Sequence, residues 1–359
     1  MLESLVSILG RQVLSVALPF MPVVAMTMLR STIFMFATHF LLSTMLCILG
    51  VPVLRNLKLG QTVRIEGPKT HYRKNGTPTF GGIFFLTPLL ISSIIVALVR
   101  PLDMAYFSIV LLMTLFAAVG FLDDYTKVRK DKEGLSVKKK TIYLTITSFA
   151  FTVWYLYFAR YEPFFIMPII KKVLPIEGPW KIVYGIFTML FIFFVSNAVN
   201  LTDGIDGLCA SLNVISSLFM ALICFFIAPL LGINYNMHAL VWVSVAIAGA
   251  AAGFLMVNHY PAKVFMGDTG SLALGAGFAG ITLLAGIPWI VALVGFIYCV
   301  EALSTLLQVW YFKRTGKRIF LMAPLHHHYE KEGWSEWKIV GVFSALSVVG
   351  AIAGILCVI

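Results

Sequence analysis

Ten apolar runs take up most of this chain, and each is close in length to the ~20 residues that a helix needs to cross a bilayer. The runs are 31–53, 79–99, 104–122, 141–159, 181–199, 209–231, 239–256, 271–288, 289–311 and 339–358. Only 12% of the 359 residues are charged, well below the share of about 25% in soluble domains. The sequence therefore predicts one all-α membrane domain, residues 1–359, with about ten transmembrane helices.

The first 30 residues are also apolar, but their first positive residue is Arg11. Without a basic start and a small-residue cleavage site, a removed signal peptide is not expected. We predict an interfacial helix within residues 1–30. A separate span at 12–29 is the alternative, and it would raise the number of spans to eleven.

The positive charges indicate the orientation of the spans. With the N-terminus outside, most of the 27 lysine and arginine residues fall in cytoplasmic segments, as the positive-inside rule requires. Both termini are then expected outside. The net charge of +11 suits anionic lipid headgroups and phosphate-bearing substrates. Nucleic acid is not an expected partner, because the runs leave no room for a soluble basic domain.

Five polar clusters between the runs share the predicted cytoplasmic face. They are 74–79 (KNGTPT), Asp123 with Asp124, 197–206 (NAVNLTDGID), 265–271 (FMGDTGS) and the histidines at 326–328. Carboxylates, amides, histidines and lysines are thus gathered at one face of a spanning protein. This pattern predicts a polar site against the bilayer. Such a site suits an enzyme that joins a water-soluble anion to a lipid.

The pair Asp123 and Asp124 ends the third run. Adjacent residues on a helix do not share a face, so the two carboxylates are expected to point in two directions and to do two jobs. The alternative is that both only mark the water boundary of the span.

Polar residues recur every three positions after the fifth run, at Asn197, Asn200, Asp203 and Asp206. If the helix continues, they form one polar stripe. A carboxylate at the bilayer centre costs at least about 2.5–3.5 kcal/mol, so the stripe is expected at the interface or along a cavity. Gly204 and Gly207 would let the backbone turn or let a ligand approach closely. A solvated helix end is the alternative.

Asp268 lies just before the eighth run and is the candidate oxygen ligand for Mg²⁺. Helix starts also favour bound anions, so this is a suitable place for a diphosphate. A plain capping role for Asp268 is the alternative. Phe265, in the same motif, offers either a surface for a stacked base or ordinary packing.

A zinc site is one interpretation of the consecutive histidines His326, His327 and His328. It is disfavoured, because zinc ligands must converge and the side chains of consecutive residues diverge. Recognition of an anion or a sugar is the preferred interpretation. Lys74 and Thr79 come before the second span, where they could hold phosphate, or they belong to an ordinary basic loop. Glu301, within the ninth run, is either functional or a buried partner of another helix.

Together the motifs resemble the polyprenyl-phosphate N-acetylhexosamine-1-phosphate transferase superfamily. The carrying segments are GTPTFGG at 76–82, GFLDDY at 120–125, NAVNLTDGIDGL at 197–208, PAKVFMGDTGSLALG at 261–275 and APLHHHYE at 323–330. The HHH form together with GTPTxGG favours the muramoyl-pentapeptide branch. One departure is Phe80, where the family usually has methionine.

The resemblance implies a reaction and its partners. Undecaprenyl phosphate would attack the β-phosphate of UDP-N-acetylmuramoyl-pentapeptide, release UMP and form lipid I for peptidoglycan. It implies Mg²⁺ as cofactor, contact with membrane lipids, and a homodimer in the bacterial inner membrane with the active site at the cytoplasmic face.

The resemblance also implies roles for individual residues. Asp123 and Asp124 would line the catalytic centre and Asp268 would hold Mg²⁺. Phe265 would stack on uracil, and the histidines would recognise the sugar and peptide. The other substrate-binding residues would be Lys74, Thr79, Lys127, Asn197, Asn200, Asp203, Asp206, Asn258 and Gln308.

Two alternatives stay open at this point. A transferase of N-acetylglucosamine phosphate would use the same chemistry on another donor. A nucleotide-sugar transporter would also need a polar site, but it predicts polar residues at mid-membrane and access from both sides. A scaffold protein does not predict three separate carboxylate motifs.

Overall fold

The apolar runs form helices in the computed structural model of the chain, which describes residues 21–57, 59–60, 76–99, 104–129, 133–159, 162–231 and 237–358. Helix is the expected form, because backbone amides and carbonyls inside a bilayer must find partners within their own segment. Within these ranges, eight helices are long and apolar enough to cross a membrane, or nine if a bent pair counts as one span. The chain is therefore a multi-pass membrane protein.

Twelve helices lie in the described part of the chain. They are α1 (Met21–Asn56), α2 (Gly82–Val99), α3 (Met104–Arg129), α4 (Val137–Val153, continued by a π-helical turn over Trp154–Phe158), α5 (Trp180–Thr202), α6 (Leu208–Leu231), α7 (Met237–Asn258), α8 (Gly267–Leu284), α9 (Val291–Val294, after a 3₁₀ turn over Pro288–Ile290), α10 (Phe296–Thr315), α11 (Leu325–Lys331) and α12 (Glu336–Val358).

The first helix begins before the first predicted span. Because α1 is unbroken from Met21 to Asn56, residues 21–30 continue this span instead of forming a separate segment. Residues 1–20 lie outside the described residues, so an interfacial helix there stays a prediction.

The predicted all-α fold holds for the spans, with one small addition. Two short strands, β1 (Phe164–Ile166) and β2 (Val173–Pro175), form an antiparallel hairpin between α4 and α5. The hairpin rests on the segment after α8, because the Ile166 N–H donates to the Gly286 carbonyl. The sequence reasoning left this gap unassigned.

Helix α8 lies at the centre of the bundle, with α3 and α5 packed along it. Every residue from Thr269 to Leu284 is buried. Small residues make this possible: a Cβ at Gly275 would lie 2.7 Å from the Ser196 Cα of α5. Neighbouring helices thus hold α8 along its length, while Asp268 in its first turn stays partly exposed.

The ninth predicted run is bent. The helical pieces Pro288–Val294 and Phe296–Thr315 meet at 88°, and Gly295 lies at the junction. Helix α10 buries Glu301 and a few neighbours from its first half, whereas Leu306 and Trp310 of its second half are more than half exposed. The second half of α10 therefore projects from the bundle.

Candidate active site

The C-terminal part of α3, the end of α5 and the first turn of α8 meet at one place. Two carboxylates and two ammonium groups lie together there, from Asp123, Lys127, Lys140 and Asp268. We call these four residues the carboxylate–lysine cluster. Their sequence separation of up to 145 positions is closed by the packing of α3 against α8 and of α4 against α3.

Asp268 has a partner on each oxygen. Its Oδ2 accepts hydrogen bonds from Lys127 Nζ at 2.9 Å and Lys140 Nζ at 2.5 Å. Its Oδ1 accepts one from Asn200 Nδ2 at 2.9 Å. The side chain is 15% exposed, so the carboxylate stays within reach of a ligand.

Asp123 faces the same two lysines. Its Oδ2 lies 2.8 Å from Lys127 Nζ and 3.4 Å from Lys140 Nζ, and its Oδ1 accepts from the Leu135 N–H at 2.7 Å. A cleft of about 240 Å³ opens beside it, and Asn197 lines this cleft with Asp123 and both lysines. The cluster therefore borders a space that a phosphate group could enter.

Asp124 points away from the cleft and holds α8 in place. Its Oδ1 accepts from the Asp268 N–H at 3.1 Å. Its Oδ2 accepts from the Thr269 N–H at 2.9 Å and from the Thr269 hydroxyl at 2.7 Å. A carboxylate at a helix N-terminus is favoured, so Asp124 caps α8 from a neighbouring helix. The capping role considered for Asp268 is wrong. The predicted separate directions of Asp123 and Asp124 are confirmed, whereas a catalytic role for either residue stays a prediction.

The loop before α2 lies against the loop before α8. The Phe265 N–H donates to the Pro78 carbonyl and the Gly81 N–H to the Phe265 carbonyl, both at 2.9 Å. A Cβ at Gly81 would lie 2.8 Å from that carbonyl oxygen, so glycine permits the close approach. The Thr79 hydroxyl is buried beside Gly267 and accepts no hydrogen bond from the described residues. The predicted phosphate ligand at position 74 lies outside these residues.

The stripe predicted after the fifth run does not continue as a helix. Helix α5 ends at Thr202 and Asp203 is its C-cap. A turn over residues 203–207 follows, and Gly207, with a positive φ, lies at its end, just before α6. Burial raises the pKa of the Asp203 carboxyl well above its usual range, and nearby Asp268 raises it further. Asp206 is buried, and its Oδ2 accepts from the Ala262 N–H at 2.9 Å.

The two amides within the stripe differ in what they contact. Asn200 Nδ2 donates to Asp268 and also to Ser271 Oγ at 2.8 Å, so it ties α5 to α8. Asn197 Nδ2 donates back to the Phe193 carbonyl and turns its remaining surface to the cleft. Only Asn200 is thus joined directly to the cluster.

Two predicted substrate-binding amides hold loops. Asn258 is buried, and its Nδ2 donates to the Val264 carbonyl at 3.0 Å, which closes the loop that presents half-buried Phe265. Gln308 Oε1 accepts from the N–H groups of Ile319 and Phe320, both at 3.0 Å. Their contacts with substrate stay predictions.

The three histidines have separate hydrogen-bond partners, but the predicted divergence is only partial, because the ring centroids of His326 and His327 lie 4.2 Å apart. His326 is fully buried, and Glu301 Oε1 accepts from its N–H at 3.1 Å and lies 3.2 Å from its Nδ1. His327 Nδ1 lies 2.6 Å from Glu330 Oε2. His328 Nδ1 accepts from the Leu321 N–H at 3.2 Å.

Histidine 326 also connects α11 to the main site. Its ring lies against Gly204, where any Cβ would collide with Nε2. This contact places the histidine segment directly on the turn that carries Asp203 and Asp206. The fifth polar cluster therefore joins the other clusters at the same site.

The donor atoms of the cluster suit Mg²⁺ better than zinc. Among the residues the structure describes, no three His, Cys, Asp or Glu side chains are arranged as a complete metal site. Mg²⁺ is commonly held by one or two carboxylates together with waters and substrate phosphates. Asp123 and Asp268, which both face the same ammonium groups, offer such a partial set.

Sequence reasoning missed some partners of these residues. Lys140 was not among the predicted site residues, yet it contacts both cluster carboxylates. Helical periodicity could have found it, because Val137, Lys140, Thr141 and Leu144 line the cleft at the spacing of one helix face. Nothing in the sequence indicated that Glu336 Oε2 accepts from the Asp206 N–H.

Comparison with known protein families shows the family of this chain. The sequence model of glycosyl transferase family 4 matches residues 106–286, which include Asp123, Lys140 and Asp268. The chain belongs to glycosyl transferase family 4. The histidines on α11 lie beyond the part of the chain that this family model matches.

Relatives within glycosyl transferase family 4 are similar over nearly their whole length. A phospho-N-acetylmuramoyl-pentapeptide-transferase of Clostridium perfringens (strain 13 / Type A) is 44% identical over 316 residues, covering 86% of this chain and 93% of the relative. One of Listeria monocytogenes serovar 1/2a is 39% identical over 335 residues, covering 91% of this chain and 99% of the relative.

Proposed function

We propose that this chain transfers phospho-N-acetylmuramoyl-pentapeptide from its UDP derivative to undecaprenyl phosphate, which releases UMP and forms lipid I for peptidoglycan synthesis. The full-length relatives named for this transfer support the proposal. The observation that carries it is the carboxylate–lysine cluster, which gathers two acids and two ammonium groups beside a cleft at the ends of membrane helices.

The reaction joins two anions, so charge decides where it can occur. An oxygen of the lipid phosphate attacks the β-phosphorus of the donor. The bond from that phosphorus to the oxygen bridging to the α-phosphate breaks, and UMP leaves with the bond's electron pair. Lys127 and Lys140, which in this structure contact Asp123 and Asp268, are placed to turn to phosphate oxygens and reduce the repulsion.

Asp268 and Asp123 are the proposed Mg²⁺ ligands, with Asp268 the principal one. When bound, the metal neutralises charge on the diphosphate. Asp123 is proposed to position the lipid phosphate. This phosphate is already ionised near neutral pH, so it needs no general base, and we propose direct attack in one step.

The substrate contacts follow the arrangement of the site. Asn197, Asp203 and Asp206 are proposed on the nucleotide side and Phe265 under the uracil, with Lys74, Thr79, Asn258 and Gln308 nearby. His326, His327 and His328 are proposed to recognise the sugar and peptide. The contact of His326 with Gly204 supports this order, because it places the histidine segment next to the nucleotide side.

The membrane arrangement completes the proposal. We propose ten spans, with α8 as the span that length and composition alone do not identify, and both termini outside. The protein would then lie in the bacterial inner membrane. Its site would face the cytoplasm, where the nucleotide donor is made. We propose a homodimer, which the mass of the protein–detergent complex by light scattering would test.

The test measures UMP release from UDP-N-acetylmuramoyl-pentapeptide and undecaprenyl phosphate in detergent. We expect wild type to need Mg²⁺, and Asp268→Asn to lose about 10²–10³-fold in turnover, as expected when one preorganised charge at a transition state is removed. Glu177→Gln is the matched control, because Glu177 is exposed and belongs to the connection between α4 and α5, away from the cluster.

Three results would change the proposal. Full activity of Asp268→Asn would remove that residue from the metal site. Release of UMP only from UDP-N-acetylglucosamine would change the donor. No release from folded wild type with either donor would favour the transporter, which uptake into proteoliposomes would check.

A further inference from the structure

A second charged recess lies beside α10, outside the carboxylate–lysine cluster. It has a volume of about 400 Å³ and lies between the second half of α10 and the segment 318–331. Three cations line it, Lys313, Arg318 and Lys331, together with the apolar side chains of Val309, Phe312 and Met322. We call this recess the basic groove.

The positive charge of the basic groove is not balanced by its own lining, which includes no carboxylate. The acids on either side of Lys331 have partners of their own. Glu330 Oε2 lies 2.6 Å from His327 Nδ1 and Glu332 Oε1 lies 3.3 Å from His328 Nε2. The groove therefore combines excess positive charge with an apolar wall, which suits an anion on an apolar tail.

The surroundings of the groove indicate that this tail comes from the bilayer. Along α10, Leu303, Leu306, Leu307 and Trp310 are 45–59% exposed. In a membrane protein, apolar side chains exposed in this way are covered by lipid. Because Val309 and Phe312 continue the same helix into the groove, an acyl chain along α10 would bring its headgroup to the three cations.

We propose that the basic groove binds one anionic glycerophospholipid of the bulk membrane, with its phosphate between Lys313, Arg318 and Lys331. Basic pockets at the cytoplasmic ends of membrane helices suit such headgroups, and each lysine or arginine adds attraction. The undecaprenyl phosphate of the proposed reaction is a different lipid, because its phosphate must reach the carboxylate–lysine cluster, and no residue of that cluster lines the groove. Gln308, proposed near the uracil, borders the groove as well, so the groove adjoins the proposed donor site.

Occupancy of the groove would affect the histidine segment. Arg318 Nη1 donates to the Leu321 carbonyl, and the Leu321 N–H donates to His328 Nδ1 at 3.2 Å. A lipid phosphate that fixes Arg318 would therefore also steady the loop on which His328 depends.

The experiment titrates phosphatidylglycerol, and separately undecaprenyl phosphate, into the full-length protein in detergent and counts bound lipid by native mass spectrometry. The groove variant is Lys313→Gln/Arg318→Gln/Lys331→Gln. The matched control, Lys138→Gln/Lys139→Gln/Lys317→Gln, removes the same charge from exposed lysines that do not line the groove. Thermal unfolding checks that both variants are folded.

We expect the groove variant to bind phosphatidylglycerol about 100-fold more weakly, from three cations at about 1 kcal/mol each. The control should stay within about twofold of wild type, since none of its lysines contacts the proposed headgroup. If the triple variant does not fold, Arg318→Gln alone should weaken binding about fivefold.

Three outcomes would overturn the proposal. Unchanged binding in the groove variants would show that the lipid does not use these cations. An equal loss in the control would show that only overall charge matters. A loss confined to undecaprenyl phosphate would assign the groove to the lipid substrate instead.

Discussion

Helices α8 and α10 each carry a single acid, but they use it in opposite surroundings. Helix α8 is rich in glycine and alanine, is buried from Thr269 to Leu284, and keeps Asp268 in contact with the two lysines that line the cleft. Helix α10 is rich in leucine and aromatic residues and exposes much of its second half, yet Glu301 near its start is fully buried. Small residues let protein surround α8, whereas large residues leave α10 to lipid.

The difference between the two helices shows which charged side chains are held in fixed positions. Charges that must meet a phosphate are held on the helix that protein surrounds, and Asp124 caps this helix from outside. The helix against lipid holds its acid inward for His326 and offers its outer surface to acyl chains. Three pairs of substitutions test this contrast.

The largest expected effect comes from truncating one leucine on each helix. Leu274→Ala on α8 should lower the free energy of unfolding by about 2–5 kcal/mol, because the cavity lies among packed side chains. Leu306→Ala on α10 should change it by less than about 0.5 kcal/mol, since this side chain is 59% exposed. Unfolding by SDS in mixed micelles would measure both, and equal losses would contradict the contrast.

A smaller effect is expected where backbones touch. A Cβ at Gly82 of α2 would lie 2.5 Å from the backbone of Gly270 in α8. Gly82→Ala should therefore cost about 1–3 kcal/mol in the free energy of unfolding. Gly341→Ala, on outward-facing α12, meets open space and should be neutral or stabilising by up to about 1 kcal/mol. Thermal unfolding midpoints should order the two variants accordingly, and the reverse order would mean that α2 can move away from α8.

The smallest expected effect concerns a cluster lysine. Lys140→Gln should reduce turnover about tenfold, about 1.4 kcal/mol, because one charge facing the phosphates is lost. Lys139→Gln, whose side chain is exposed on the same helix, should keep wild-type turnover. Release of UMP under saturating substrate would measure both. Equal turnover of the two variants would show that Lys140 does not act in catalysis.

The count of ten spans stays a prediction, since eight or nine candidate spans are identified in the described residues. Sequence alone predicted the apolar helices, the meeting of the polar clusters and the separate directions of Asp123 and Asp124. These follow from local periodicity, which residue order contains. The glycines of the polar stripe indicated that the backbone can turn, but the end of α5 at Thr202 did not follow, because glycine permits a turn without requiring one. The bend at Gly295 also escaped, since an apolar run has the same composition whether straight or bent.

Individual contacts across helices were the least predictable. Lys140 resembles Lys138 and Lys139 in sequence, and only the packing of α4 on α3 brings it to Asp123. The roles of Asn258 and Gln308 as ties between backbone segments depend on loops whose path no motif specifies. Burial of Glu301 against His326 needed the fold, because either a functional or a structural role suited an acid in an apolar run.

The cap that Asp124 provides has a consequence for how the chain is made. Asp123 can pair with Lys127 four residues later as soon as α3 forms, but the donors to Asp124 belong to Asp268 and Thr269, 144 and 145 residues further along. At a synthesis rate of about 5–20 residues per second, this carboxylate waits on the order of 10 seconds for its partners. A ribosome-bound chain that stops short of α8 therefore carries the Asp124 carboxylate at the end of α3 without the donors that it meets in the complete fold.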